Sequence, residues 1–144
     1  MEMTDDFLEE HDLDWFALFS DGVLAHFASA GRGAVPAKVR CSLSGYEAVF
    51  RFFEKLESRF EVEVAEKTIP EFASADQRSR YLSSFVGMAE KGLCSYDFSN
   101  SCYRLVARPR AGVRVDLPDS IKERLTVLPF VFSEQVHCVS WLGQ

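Results

Sequence analysis

Most of the features that usually announce a functional site are missing from this chain. Its four cysteines, Cys41, Cys94, Cys102 and Cys138, include no C-x-x-C pair, and no histidine stands at zinc-finger spacing from them. That excludes a zinc module and a disulfide framework, and the four are read as reduced thiols. No H-x-x-x-H, H-x-x-E or D-x-D-x-D-G pattern occurs, so no metal is expected. Nowhere does the chain reach eighteen consecutive apolar residues, and MEMTDDFLEE has neither the basic residue nor the apolar run of a signal peptide. A cytoplasmic protein without a membrane span is the expectation.

Basic residues are absent from the first fourteen positions, where seven acids stand: Glu2, Asp5, Asp6, Glu9, Glu10, Asp12 and Asp14. The other 130 residues balance 15 acids against 16 bases, so the net charge of −6 is a feature of one terminus. Residues 1–12 read either as a flexible, solvated acidic arm or as an arm that engages a basic partner. A second asymmetry is the set Arg104, Arg108, Arg110 and Arg114, with no acid between Asp97 and Asp116. No basic helix accompanies it and the chain as a whole is acidic, so nucleic acid is not the expected partner.

Thirteen phenylalanines, four tyrosines and two tryptophans can fill a sizeable core, and 144 residues is the length of one domain, here taken as 1–144. Asp21-Gly22 predicts a two-residue hairpin turn that pairs Ala17 with His26 and Phe16 with Phe27, both faces being largely apolar. Ser44-Gly45-Tyr46-Glu47 has the form of a capping box, opening a helix with the stripe Tyr46, Val49, Phe50, Phe53, Leu56 and Phe60. FEVEVAE alternates as a short strand. Ser74-Ala75-Asp76-Gln77 caps a second helix carrying Tyr81, Leu82, Phe85, Val86 and Ala89, stopped at Lys91-Gly92. LCSYDFS and CYRLVAR alternate around Asn100-Ser101 as a second hairpin. Asp116-Leu117-Pro118-Asp119 predicts a short helix through about Leu128, and VHCVSWL a final strand. The expected fold is α+β: an antiparallel sheet built from hairpins, with two main helices packed on one face.

The stretch AGRGAVP between the first hairpin and the first helix invites a phosphate-loop reading. It lacks the third glycine of G-x-G-x-x-G, and Pro36 interrupts before any helix begins, so no phosphate or dinucleotide cofactor is expected. A histidine hydrolase needs a nucleophile within reach of its base. His26 and Ser29 sit on opposite faces of a strand, as do His137 and Cys138, so no catalytic set is assigned.

The form D-W-F-A-x-x-x-D-G-x-x-A-x-F-x-S-x-G-x-G-x-x-P is carried here by Asp14, Trp15, Phe16, Ala17, Asp21, Gly22, Ala25, Phe27, Ser29, Gly31, Gly33 and Pro36. It resembles the opening of small bacterial immunity proteins paired with polymorphic or type VI secreted toxins, over roughly residues 13–36. The resemblance implies binding without catalysis, the partner being a cognate toxin whose active site is occluded or distorted. An acidic arm is compatible with that, since it can imitate phosphate and steer association with a basic cleft. The expected contact residues are Asp5, Asp6, Glu9, Glu10 and Asp12 with the Arg32 loop, and Tyr103 and Trp141 are further anchor candidates. Two alternatives stay open: a small histidine-dependent hydrolase using His26 or His137, and a structural or adaptor module that self-associates through a sheet edge such as Val136–Leu142.

Overall fold

The computed structural model describes residues 2–137. Its elements in chain order are α1 (Asp5–Glu10), β1 (Asp14–Leu18), β2 (Leu24–Ala28), α2 (Ala37–Arg40), α3 (Leu43–Lys55), β3 (Val62–Val64), α4 (Ala75–Glu90), β4 (Cys94–Ser99), β5 (Cys102–Pro109), α5 (Asp119–Lys122), β6 (Thr126–Val127) and β7 (Gln135–His137). The strands form one seven-stranded sheet ordered β3-β5-β4-β2-β1-β6, with β7 also paired to β5.

Helices and strands are both present as expected, but the sheet is mixed where a purely antiparallel one was predicted. The hairpins β1–β2 and β4–β5 lie side by side with β2 parallel to β4, and β6 runs parallel to β1. Parallel neighbours need a long crossover. Residues 29–93, with α3 and α4, supply it for the first pair, and the segment through α5 for the second. Local alternation marks each strand but carries no information about which hairpin docks on which.

The first hairpin differs from expectation by one residue. Only Gly22 has positive φ (85°), so Asp21-Gly22 is not a type I′ pair, which needs both. Instead, Gly22 N–H donates to Phe19 C=O at 2.9 Å and Phe19 N–H to Val23 C=O at 2.9 Å, which makes a three-residue loop. Phe16 therefore faces His26 and Trp15 faces Phe27. Such a slip exchanges every side chain between the two faces. The second hairpin is the type I′ form: Asn100 and Ser101 take φ of 50° and 69°.

Capping marks the helices, with one shift. Ser74 Oγ accepts from Gln77 N–H at 3.1 Å, as the sequence implies. The cap of α3 is Ser42, whose Oγ accepts from Gly45 N–H at 3.1 Å, so the helix starts before Ser44. The helix expected to reach Leu128 is the four-residue α5, because Leu128 N–H is drawn to Leu18 C=O (2.8 Å) at the end of β1. Of the predicted final strand, β7 carries Val136 and His137, and residues 138–142 lie outside the described region.

Both faces of the sheet are covered. On one, Trp15, Phe27 and Tyr96 sit opposite one another across three strands and stack at 4.3 and 4.8 Å. Tyr103 meets Phe27 edge-on at 5.0 Å. Met3, Phe7 and Leu8 of the N-terminal segment, with Val35, Val39 and Leu128, close this layer. On the other face α3 stacks Phe53 on Phe16 (4.4 Å), and α4 packs Leu82, Phe85 and Ala89 against Val106 and Ala107.

Gly33 is fixed by this packing, since a Cβ there would overlap the Tyr103 hydroxyl, itself bonded to Ala34 C=O (3.0 Å). Gly33→Ala is expected to cost about 1–3 kcal/mol by overpacking. A urea melt should show a lower midpoint at unchanged slope.

Candidate functional site

The acid-rich N-terminus is built into the fold. Thr4 Oγ1 accepts from Phe7 N–H (3.1 Å), and Asp5 and Asp6 follow in the first turn of α1, where carboxylates complement the helix dipole. Met3 is fully buried, and its N–H donates to Arg40 C=O at 2.8 Å. The Arg40 guanidinium returns the contact, donating to Met3 C=O at 3.2 and 3.3 Å and to Asp5 Oδ1 at 2.6 Å. Glu9 and Glu10 occupy the last turn, which holds no base. Carboxylates there oppose the dipole by a few tenths of a kcal/mol or more, up to about 1.

The loop after β2 packs against the end of this helix. Ser29 organises it: its C=O accepts from Arg32 and Gly33 N–H (3.1 and 2.8 Å), and its Oγ from Leu13 N–H (3.1 Å). These bonds occupy the amides that a phosphate loop would turn toward a ligand. Ala30 and Gly31 take positive φ (53° and 72°), and a Cβ on Gly31 would lie 3.3 Å from Glu9 C=O and 3.5 Å from Asp12 Oδ1. Arg32 is thereby turned outward and exposed.

An open groove of about 1200 Å³ separates the two walls, with Glu2, Asp5, Leu8 and Glu9 on one side and residues 30–37 with Arg40 on the other. Of the expected contact residues, Asp5, Glu9 and Arg32 line it together, although more than twenty positions separate the acids from the arginine. Asp6, Glu10 and Asp12 are exposed on the same segment but do not line the groove. Arg40, which ties the two walls together, carried no signal in the sequence beyond its charge. Tyr103 is fully buried between Trp15 and Ala34, so it is a core residue and not a surface anchor. Trp141 and Cys138 lie outside the described residues, and His137 is exposed on β7.

The arginines from Arg104 to Arg114 do not share a surface. A bulge in β5 places Ser95 opposite Ala107 but Tyr96 opposite Leu105, which reverses the facing of later residues. Arg104, opposite Asp97, is on the helix side. Arg108 lies over the Phe132 ring at 5.4 Å on the other side, and Arg110 pairs with Glu61 at 3.7 Å.

The corrected hairpin register puts His26 where the sequence did not. It is buried (1% exposed) on the helix side, with Nδ1 2.6 Å from Ser95 Oγ and Nε2 3.4 Å from Asp14 Oδ1. The second distance is within ion-pair reach, but its alignment makes no hydrogen bond and leaves Nε2 without a partner. Serine, histidine and aspartate thus stand in the order of a hydrolytic triad. Ser95, however, is fully buried as the second residue of β4, and four cavities found among the described residues are lined by neither Ser95 nor His26. The sequence reading missed Ser95 because it lies 69 positions from His26, with no local pattern linking them.

Next to this chain, Tyr81 O–H donates to Asp97 Oδ2 at 2.8 Å. Burial holds the Asp97 carboxyl above the usual carboxylate range, opposed by the Tyr81 hydrogen bond. Burial likewise raises the phenols of Tyr46 and Tyr81, and it pushes the Cys94 thiol up to about 11, away from nucleophilic use. Cys41, Cys94 and Cys102 are free thiols. Among the described residues no cluster of three or more histidine, cysteine or acidic side chains could hold a metal ion, and no helix is long and apolar enough to cross a membrane.

Comparison with known proteins finds no matching family model, no matching curated protein and no matching solved structure. The geometry of these two places therefore carries the functional reading.

Ser95→Ala removes the partner of a buried imidazole nitrogen and is expected to cost about 1–3 kcal/mol in a denaturant melt. Asp97 has the opposite sign. Its raised folded pKa means that its contribution to stability is present below the unfolded pKa and lost as pH rises through the folded value. Asp97→Asn should therefore melt at higher temperature than the native chain at pH 7, with the difference vanishing below about pH 4.

Proposed function

We propose that this chain is an immunity-type binding protein, acting in the cytoplasm without catalysis, that neutralises a cognate bacterial toxin by direct contact through the groove between α1 and the Arg32 loop. The observation that carries this reading is the convergence of Asp5, Glu9 and Arg32 on that groove from distant parts of the sequence. The hairpin form of residues 14–36 supports it, because the same residues build the loop that presents Arg32. The partner surface would be basic, matched to the acids of α1 and rejecting like charge. Protection in a cell needs nanomolar binding, about 12 kcal/mol, so a desolvated anchor must accompany the charged rim. Arg32 is the side chain offered for that role.

The test is co-expression with the products of the neighbouring reading frames, followed by co-purification and a survival assay. Protection by the native chain is expected. The double variant Glu9→Lys, Arg32→Glu should bind tenfold to a hundredfold more weakly, about 1.4–2.8 kcal/mol, with no loss of melting temperature. Cells equally sensitive with and without this protein would overturn the reading.

The Ser95–His26–Asp14 chain favours a second reading, a histidine-dependent hydrolase in which Ser95 is the nucleophile, His26 the base and Asp14 its orienting acid. It requires α3 and α4 to move off the sheet to admit substrate. Labelling of the folded chain by a fluorophosphonate probe, abolished in Ser95→Ala, would support it; an unlabelled native chain would dismiss it.

A further inference from the structure

On the helix side of the sheet, β1, β2, β4 and β5 place Asp14, Ala28, Asp97 and Arg104 in one row. The two aspartates stand on either side of Ala28, their Cα atoms roughly 10 Å apart at twice the inter-strand spacing. Ala28 has no side chain beyond Cβ and is partly exposed, and the Asp14 side chain is 37% exposed, so the row opens to solvent. His26 lies in the next row down, buried, its Nε2 directed at Asp14 and satisfied by no hydrogen bond. Tyr81 from α4 is bonded to Asp97, so an aromatic ring stands on that side.

No lysine or arginine among the described residues supplies a countercharge here, and the one base against the carboxylates is the His26 imidazole. Partly buried carboxylates are ordinarily paired with a cation. Among the described residues no lysine or arginine forms an ion pair with either aspartate, and Arg104, the nearest base in the row, donates its Nε–H to Ser99 C=O at 3.3 Å. Burial raises the Asp97 carboxyl, the hydrogen bonds from Tyr81 and Phe98 and the charge of His26 oppose it, and the Asp14 charge adds the smallest contribution.

We propose that Asp14, Asp97 and His26 Nε2, which makes no hydrogen bond, form a binding site for an organic cation, an ammonium or guanidinium group seated over Ala28 beside Tyr81. A guanidinium bonded to one oxygen of each carboxylate spans about 8 Å, with charge-assisted bonds of about 2.8 Å on either side. That span fits two side chains of one row, on β1 and β4, leaning toward each other over β2. His26 Nε2 accepts a further N–H from the cation when its proton sits on Nδ1, which then donates to Ser95 Oγ. The Tyr81 ring adds cation–π attraction. The site stands independently of the toxin-binding groove, which is on the opposite face of the sheet.

The test is an NMR titration of the full ¹⁵N-labelled chain with n-butylguanidinium and n-butylammonium chloride, against sodium chloride at matched ionic strength. Saturable shifts are expected at Asp14, Ala28, Asp97 and the His26 ring, at least tenfold weaker in Asp14→Asn and Asp97→Asn. Ala28→Leu, which retains both carboxylates and fills the space between them, should abolish them while circular dichroism shows a folded chain. A tripeptide Gly-Arg-Gly that binds as well as butylguanidinium would identify the source as a protein side chain, and its exclusion would identify a free amine; either upholds the site. Non-saturable shifts, shifts insensitive to all three substitutions, or a His26 ring doubly protonated at pH 7 without ligand would overturn it. In the last case the histidine is itself the countercharge.

Discussion

The hydrogen-bonded chain from Trp15 Nε1–H to the Tyr103 hydroxyl (3.1 Å), and from that hydroxyl to Ala34 C=O (3.0 Å), is the constraint on which the rest of this structure depends. It ties β1 to β5 across the two intervening strands and then ties the sheet to the loop after β2. Aromatic side chains bury large areas but need a partner for their polar ends. Here each polar end satisfies another, and the last bond goes to a backbone carbonyl. The loop is therefore held flat against the ring of Tyr103, and only glycine fits at position 33.

What is fixed by that contact also shapes the surface. With Gly33 pinned and Ser29 taking the amides of Arg32 and Gly33, the loop can only project Arg32 outward. The N-terminal segment then closes the same aromatic layer with Met3, Phe7 and Leu8, and Arg40 clamps it through Met3 and Asp5. The groove is thus the seam between two pieces that pack on one hydrophobic layer. Of its acids, Asp5 complements the dipole of α1 in the first turn, whereas Glu9 opposes it in the last.

The opposite face shows a different economy. Helices α3 and α4 cover most of it with apolar side chains, yet the row at its end holds two carboxylates, with the buried His26 imidazole in the next row and the Tyr81 phenol bonded to Asp97. The Ser95–His26 bond is short and buried, and it joins β2 to β4, the pair of parallel strands that makes the sheet continuous. One polar contact therefore supports the central junction, while its neighbours are left with unbalanced charge. Stability and binding make opposite demands on Asp97, which is why that residue separates the two roles.

Sequence alone determined what depends on neighbours along the chain. Ser74 and Gln77 announced the start of α4, Gly92 its end, and Asn100-Ser101 the second hairpin, because a cap or a tight turn is satisfied within a few residues. The acidic character of residues 1–14 and the exposed Arg32 loop were legible for the same reason. Tertiary structure decided the rest. The capping-box pattern pointed to Ser44, whereas α3 is capped by Ser42. Asp21-Gly22 permitted two loop lengths that differ by one residue, and the burial of Trp15 and Phe27 on one face and Phe16 on the other selected the register. That choice moved His26 beside Asp14 and Ser95. The parallel docking of the hairpins placed Asp97 in the same row. Both depend on contacts between segments far apart in sequence, and a pattern with a period of two or 3.6 residues holds no record of them.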